Sequence, residues 1–277
     1  MTDLLYLHWH ANPVIFQLGP LALRWYSLLF ISGFILGWYI LRHFFRREGV
    51  SETLLDPLLY TLLLGTIVGA RLGHCLFYDF NYYFGSWEGF KEVFMPWKGG
   101  LASHGGTIAL ILAMIWFSNH YGKKNNFDFL WIVDHLVIAI SFAACFIRLG
   151  NFFNSEIFGH VTSLPWGVYF DFRDPQNPRH PTQLYEALTY LLLGLALMAH
   201  YKYRLKSTFR GFFTGVFFLV CFGSRFLLEY TKETSYYDIF GIDWMTRGQW
   251  LSIPFILIGI GVLVYSFVKK QPAAITK

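Results

Sequence analysis

In the run GSRFLLEY, Arg225 and Glu229 are spaced i, i+4, which stacks a guanidinium and a carboxylate on one face of a helix. Both fall in an apolar stretch, where a charge costs at least about 2.5–3.5 kcal/mol and therefore needs a partner, a wet cavity or a task. Two readings are open. The pair is either a self-neutralised ion pair, or a carboxylate orienting an arginine whose remaining donors grip a phosphate in bidentate fashion. A phosphate at that place would come from a lipid headgroup. Two further runs hold compatible chemistry. In KGGLASHGG (Lys98 to Gly106), His104 lies between glycine pairs, and Gly105 and Gly106 offer accessible backbone amides. A histidine there is either structural or a general base suited to neutral pH. In RLGNFFNSEIFG (Arg148 to Gly159), Arg148, Asn151, Asn154 and Glu156 gather where an apolar segment ends. They make a candidate headgroup pocket, the alternative being solvated loop polarity.

The run RHPTQLYE brings His180, Gln183, Tyr185 and Glu186 to the start of another apolar segment. Pro181 suits a first helical turn and a carboxylate complements the helix dipole there. A cap explains Glu186 but not the other three. In GARLGHCLFY, Arg71 shares a helical face with His74 and Tyr78, and it either snorkels from the end of its span or joins a site. Asp134 and His135 point about 100° apart, so they do not serve one tight site, and Asp134 reads as a packing group rather than a proton relay. The chain has no H-E-x-x-H, Cys/His cluster, G-x-S-x-G elbow or Walker loop, so the reading includes no metal, nucleotide or other cofactor.

These residues must be positioned by membrane helices. Of 277 residues, 55% are apolar, 21% aromatic and only 14% charged, too few charges to cover a soluble surface. The expected fold is an all-α integral membrane protein with seven transmembrane helices, at about 24–41, 57–78, 105–121, 129–147, 183–200, 211–230 and 249–268. The aromatic-rich stretch 79–104 reads as an interfacial arm, and 148–182, rich in Gly, Pro and polar groups, as an exterior, periplasmic-side head. The clusters Arg42/Arg46/Arg47, Lys123/Lys124, Lys202/Arg204/Lys206/Arg210 and Lys269/Lys270/Lys277 occupy alternate loops plus the C-terminus. That asymmetry puts the C-terminus in the cytoplasm and the N-terminus outside. The net charge of +5 therefore reflects topology, and nucleic acid is not an expected partner. No cleavable leader is recognised before the first span, and the tail after Val268 is expected to be disordered.

Taken in order, GGLASHGG, RLGNFFNSEIFG, HPTQLYE, SRFLLEY and RGQWLSIP resemble the motifs of the bacterial phosphatidylglycerol–prolipoprotein diacylglyceryl transferases, from about Arg24 to Pro254. The resemblance implies transfer of the diacylglyceryl group of phosphatidylglycerol to the lipobox cysteine of a prolipoprotein, forming a thioether and releasing glycerol phosphate, in the bacterial inner membrane. It implies that His104 is the family's H-G-G histidine, proposed to activate the thiol. Arg148 and Asn151 match its R-L-G-N signature, Gly159 its later glycine, Arg225 its phosphate-engaging arginine, Glu229 the carboxylate that follows, and Tyr26 the tyrosine of the first span. Two positions depart from the family pattern: Ala109 stands where a further glycine is common, and Phe222 where relatives carry a tyrosine. The chemistry is physically coherent with these groups. A thiol of pKa about 8.5 is mostly protonated at neutral pH and needs a base or a positive field, and arginines stabilise the charge that grows on a departing phosphate. The competing reading is a transporter or binding protein that recognises an anionic lipid without chemistry. Cys75, Cys145 and Cys221 lie in apolar runs and read as inert small hydrophobes. Each should tolerate replacement by Ala with transfer of the lipid to a lipobox peptide retained, and loss of transfer in any one would require a covalent enzyme intermediate.

Overall fold

The computed structural model describes residues 6–19, 21–233 and 245–275. Among these, nine α-helices and five short strands are formed. Six helical segments are long and apolar enough to cross a membrane: Trp25–Glu48, Glu52–Phe77, Phe129–Phe153, Thr182–Ser207, Phe212–Thr231 and Arg247–Lys269. The remaining expected span, 105–121, lies on α5 (Ser103–Asn125). That helix is as long as its neighbours, but His104 at one end and Asn119, His120, Lys123 and Lys124 at the other dilute its hydropathy. By contacts the chain divides into two units: Arg42–Ile132, and the residues up to Leu41 together with those from Val133 onward.

In the Arg42–Ile132 unit, α2 (Leu55–Phe77) packs on α5 along a stripe of small residues. Gly65, Gly69 and Gly73 recur at every fourth position and meet Ala113, Ala109 and Gly105; a Cβ on Gly69 would fall 2.1 Å from the Ala109 methyl. Apolar helices in lipid gain little from hydrophobicity alone, and close backbone approach of this kind supplies the packing. Ala109, the departure from the family pattern, thus uses its methyl against Gly69. The arm 79–104 consists of α3 (Phe80–Phe84), α4 (Trp87–Val93) and a single turn at Pro96–Lys98. Arg71 on α2 ties the arm down. Only 3% exposed, it donates from Nε to the Val93 carbonyl at 3.1 Å, from Nη1 to those of Gly99 and Gly100 at 2.6 and 3.2 Å, and from Nη2 to that of Glu92. Two of these carbonyls close the C-terminus of α4, where a cation is favoured. Arg71 therefore does not snorkel. It gathers carbonyls from the end of α4 and from Gly99 and Gly100 around one guanidinium.

The other unit contains α6 (Phe129–Phe153, from Val133 on), α7 (Thr182–Arg204), α8 (Phe212–Leu228), α9 (Arg247–Lys269) and the first part of α1 (Trp25–Glu48). Asp134 on α6, 2% exposed, accepts from Gly211 N, Thr214 N and Thr214 Oγ1 at 2.6, 2.8 and 2.6 Å. It caps the start of α8 from a different helix, since Gly211, at φ +90°, brings no side chain of its own. Asp134 is thus a packing group. α9 opens on a capping box in which Thr246 and Gln249 exchange hydrogen bonds.

Strands appear where the sequence reading expects helices and loops. β1 (Leu7–Trp9) runs parallel to β4 (Val168–Phe170), which pairs antiparallel with β5 (Asp174–Arg179). β2 (Val14–Leu18) and β3 (Leu21–Arg24) form a second hairpin. With three to six residues each, these strands are too short for their alternation to register as a pattern. The β1–β4–β5 sheet closes over a small core of Phe152, Val168 and Phe170, against which Trp9, Phe158 and Leu184 pack. Arg179 on β5 pairs with Asp174 at 2.6 Å and Glu233 at 3.1 Å. Burial pushes the Asp174 carboxyl up, but the Arg179 hydrogen bond and charge outweigh it and hold the group below its ordinary value. The tail is also ordered beyond expectation. Arg210 N donates to Gln271 O and Ala273 N to Thr208 O, both at 2.8 Å, and Ala273 is buried; Lys277 lies outside the described residues.

The Gly69 contact leaves no room for a larger side chain, whereas nothing lies within 4 Å of a Cβ on Gly223. Gly69→Leu should lower stability by about 3 kcal/mol and depress the thermal midpoint by several degrees, while Gly223→Ala changes it little. Equal midpoints, read by thermal unfolding in detergent, would contradict the packing described.

Candidate active site

The site is built around the end of α6. One helical turn separates Arg148 from Asn151, and Arg148 Nη1 donates to Asn151 Oδ1 at 3.3 Å. Asn151 and Asn154 both donate to Glu156 Oε1, at 2.7 and 3.2 Å. Helix α6 continues through Phe153, so Arg148 and Asn151 stand on a rigid element and not in the head segment where the sequence reading begins it. The turn that follows is strained. Ser155 and Ile157 adopt φ of +52° and +59°, a region that a β-branched residue almost never enters and that costs about 1–3 kcal/mol. Two residues of the TQ pair hold it in place: Gln183 Nε2 donates to Glu156 O at 2.7 Å and Thr182 Oγ1 to Ile157 O at 2.8 Å.

Gly159 lets two further segments close on this turn. Its N–H donates to His180 O at 2.8 Å, and an added Cβ would lie 2.1 Å from Thr231 O and 2.7 Å from His180 Cβ. The His180 ring shares a hydrogen bond with the Tyr185 hydroxyl at 3.1 Å, and Trp166 Nε1 donates to that same oxygen at 2.8 Å. Burial, with the neighbouring His160, holds His180 below its usual pKa. Tyr26 packs on Gly150, where a Cβ would come within 2.8 Å of its ring.

A chain of four charges crosses this region. Arg148 Nε lies 2.8 Å from Glu186 Oε2, an ion contact without hydrogen-bond alignment. Lys232 Nζ donates to Glu186 Oε1 at 2.9 Å and lies 3.4 Å from Glu229 Oε2. Glu186 is 1% exposed and Glu229 6%. Glu229 fits because Gly248 has no side chain; a Cβ there would sit 2.2 Å from Oε1. Two expectations change. Glu229 turns to Lys232 and not to Arg225, so the i, i+4 pair read from the sequence is not formed. Glu186 is a link in the chain of charges rather than a helix cap. Lys232 is absent from the sequence reading; its i+3 spacing from Glu229 is the signal that could have found it.

Arg225 is left over. Its Nε is buried and has no hydrogen-bond partner among the described residues. Its charge, with those of Arg148 and Glu186, acts on buried Tyr190, which places the three around one side chain. The four-membered chain is neutral as a whole; beside it stand Glu156, held by Asn151 and Asn154, and Arg225, whose Nε has no hydrogen-bond partner among the described residues. His104, Gly105 and Gly106 belong to the Arg42–Ile132 unit. His104 is exposed on the first turn of α5, and Gly105 packs its backbone on Gly69 and Gly73.

The profile of the prolipoprotein diacylglyceryl transferase family matches residues 13–265. The chain belongs to this family. It is 42% identical to the phosphatidylglycerol–prolipoprotein diacylglyceryl transferase of Tolumonas auensis, over 95% of this chain and 99% of that protein. It is 41% identical to the Bacteroides fragilis protein of the same name, over 97% and 98%, and 38% identical to that of Chloroherpeton thalassium, over 96% of each. The chain is a diacylglyceryl transferase, an enzyme.

Removing one partner of a buried ion chain strands the others. Lys232→Met should cost about 3–5 kcal/mol by leaving Glu186 and Glu229 short of charge, and adding Glu229→Gln should restore part of it. A thermal midpoint unchanged by Lys232→Met would show the chain of charges to be absent in solution.

Proposed function

We propose that this protein transfers the sn-1,2-diacylglyceryl group of phosphatidylglycerol to the lipobox cysteine of prolipoproteins, the first step of bacterial lipoprotein maturation. Family membership supports the reaction, and the observation that carries the assignment of the donor site is the buried Nε of Arg225, without a hydrogen-bond partner among the described residues, beside a self-neutralised chain of charges. Phosphatidylglycerol carries one negative charge on its phosphodiester. A half-buried guanidinium in an apolar helix, with an Nε that no described residue accepts from, is a matching complement for that phosphate.

In the reaction, the acceptor sulfur forms a bond to the terminal glycerol carbon of the diacylglyceryl group as the bond from that carbon to the phosphate oxygen breaks. The bonding pair leaves with glycerol phosphate, whose charge rises from one to two. Arg225 and Arg148 oppose that increase, so their interaction is stronger in the transition state than in the bound substrate. Glu186 and Lys232 hold Arg148 in place, and Asn151, Asn154, Glu156 and Gln183 fix the turn beside it. Tyr26, Gly159, His180, Tyr185 and Glu229 complete the substrate-binding frame. For His104, exposed on the first turn of α5, we adopt the role that the family resemblance implies: it takes the thiol proton, while Gly105 and Gly106 are buried and let α5 pack closely on α2.

The same reading has seven spans, α5 being the one whose polar ends lower its hydropathy; at 23 residues it is about 35 Å long, enough for the hydrocarbon core. It puts the protein in the bacterial inner membrane with the N-terminus outside, the C-terminus in the cytoplasm, and the head on the periplasmic side, where both the lipid donor and the lipobox peptide are within reach. The exposed rings of Phe77, Tyr78, Phe80, Trp87, Phe94 and Trp97 suit an arm at the headgroup level.

Arg225→Ala and Arg148→Ala should each lower kcat by about 10²–10³-fold in a reconstituted assay of glycerol phosphate release with phosphatidylglycerol and a lipobox peptide. Release should require the peptide's cysteine. Normal turnover in Arg225→Ala, or release with a cysteine-free peptide, would overturn the assignment.

A further inference from the structure

We propose that His8, His10 and Asp171 form a binding site for one divalent transition-metal ion, zinc by preference, that clips the N-terminal strand to the β4–β5 hairpin. The three ligand atoms lie within 4.8 Å of one another. His8 Nδ1 is 3.3 Å from Asp171 Oδ1, and His10 Nδ1 is in close contact with Asp171 Oδ2. Two imidazoles and a carboxylate are a borderline-soft set that suits zinc, copper or nickel over calcium or magnesium.

The arrangement follows from strand geometry. Residues two apart on a strand point to the same side, so His8 and His10 share one face of the N-terminal segment while Trp9, on the other, packs on Phe152 with ring centroids 4.3 Å apart. The parallel register sets His8 opposite Tyr169 and Trp9 opposite Phe170, and Asp171 N donates to Trp9 O at 3.4 Å, which carries the carboxylate up between the two histidines. The rings are held before any ion arrives. His8 stacks on Tyr169 at 4.5 Å and 6°, and on His10 at 5.9 Å and 15°. Asp171 Oδ2 is itself buried and receives no aligned hydrogen bond, so the approach of His10 leaves a lone pair unsatisfied that a cation would take up. Because the His10 side chain is 73% exposed, the remaining coordination position stays open to water. A sequence scan for metal motifs passes over this site because its third ligand is 161 positions beyond His10.

The test uses the full-length protein in detergent, free of any polyhistidine tag, titrated with zinc chloride by calorimetry and with cobalt chloride by visible absorption. Wild type should bind one zinc per chain, and cobalt should give the intense ligand-field bands of a four-coordinate nitrogen and oxygen site. His8→Ala, His10→Ala and Asp171→Asn should each weaken binding by about 10–100-fold or more and abolish those bands. His10, exposed and outside the cores described, gives a variant that keeps its fold, confirmed by an unchanged thermal midpoint without metal. An ion that binds the folded form raises the midpoint of the wild type and not of the variants. Absence of one-to-one zinc binding, or binding that survives all three substitutions, would overturn the proposal and leave the cluster a histidine–carboxylate ion pair.

Discussion

The constraint on which the candidate site depends is the pairing of its charges inside an apolar bundle. Glu186 and Glu229 are buried, and each would be intolerable in a membrane segment alone; Arg148 and Lys232 neutralise them in a chain. Once those four groups satisfy one another, the Arg225 Nε has no hydrogen-bond partner among the described residues, although a carboxylate sits a single helical turn away. The spacing offers Arg225 a partner and the tertiary structure takes that partner for Lys232. What remains is a buried Nε donor without an acceptor among the described residues, a property that suits the proposed anion site.

The rest of the described structure serves to keep that charge distribution from relaxing. Glu156 cannot swing away because two asparagines hold its carboxylate and Gln183 holds its carbonyl. The left-handed Ser155 and Ile157 store strain that these contacts offset, as expected where a backbone is held for binding and not for stability. Gly159 and Gly248 act by omission, each leaving space for a backbone or carboxylate that a methyl group would displace. Elsewhere polar residues within the spans serve as joints, as the sequence reading expects for Asp134 and leaves open for Arg71. Arg71 binds four carbonyls of the arm, and Asp134 caps α8 from α6.

Much of this could be read from the sequence, and for physical reasons. Apolar runs of membrane length have few alternatives, so six spans and the helix carrying Arg225 follow from composition. The chemistry-bearing runs were recognisable because polar groups inside or at the ends of such runs are costly and stand out. Partnership was not recognisable. Whether Glu229 meets Arg225 or Lys232 depends on where residues past the end of α8 return, which local spacing does not encode. The short strands were missed because three to six residues give too little alternation, and because β1 finds its partner β4 far along the chain. The ordered tail was missed because its pairing with residues 208–210 is equally non-local.

The most direct test of the account is the binding of lipid to Arg225 in the absence of turnover. Detergent-solubilised protein, without acceptor peptide, would be titrated with phosphatidylglycerol and with phosphatidylcholine, for the wild type and for Arg225→Met. The account predicts that the wild type prefers the anionic lipid and that the variant loses the preference while the chain through Arg148, Glu186, Lys232 and Glu229 keeps it folded. An undiminished preference in Arg225→Met would contradict it and place the headgroup elsewhere.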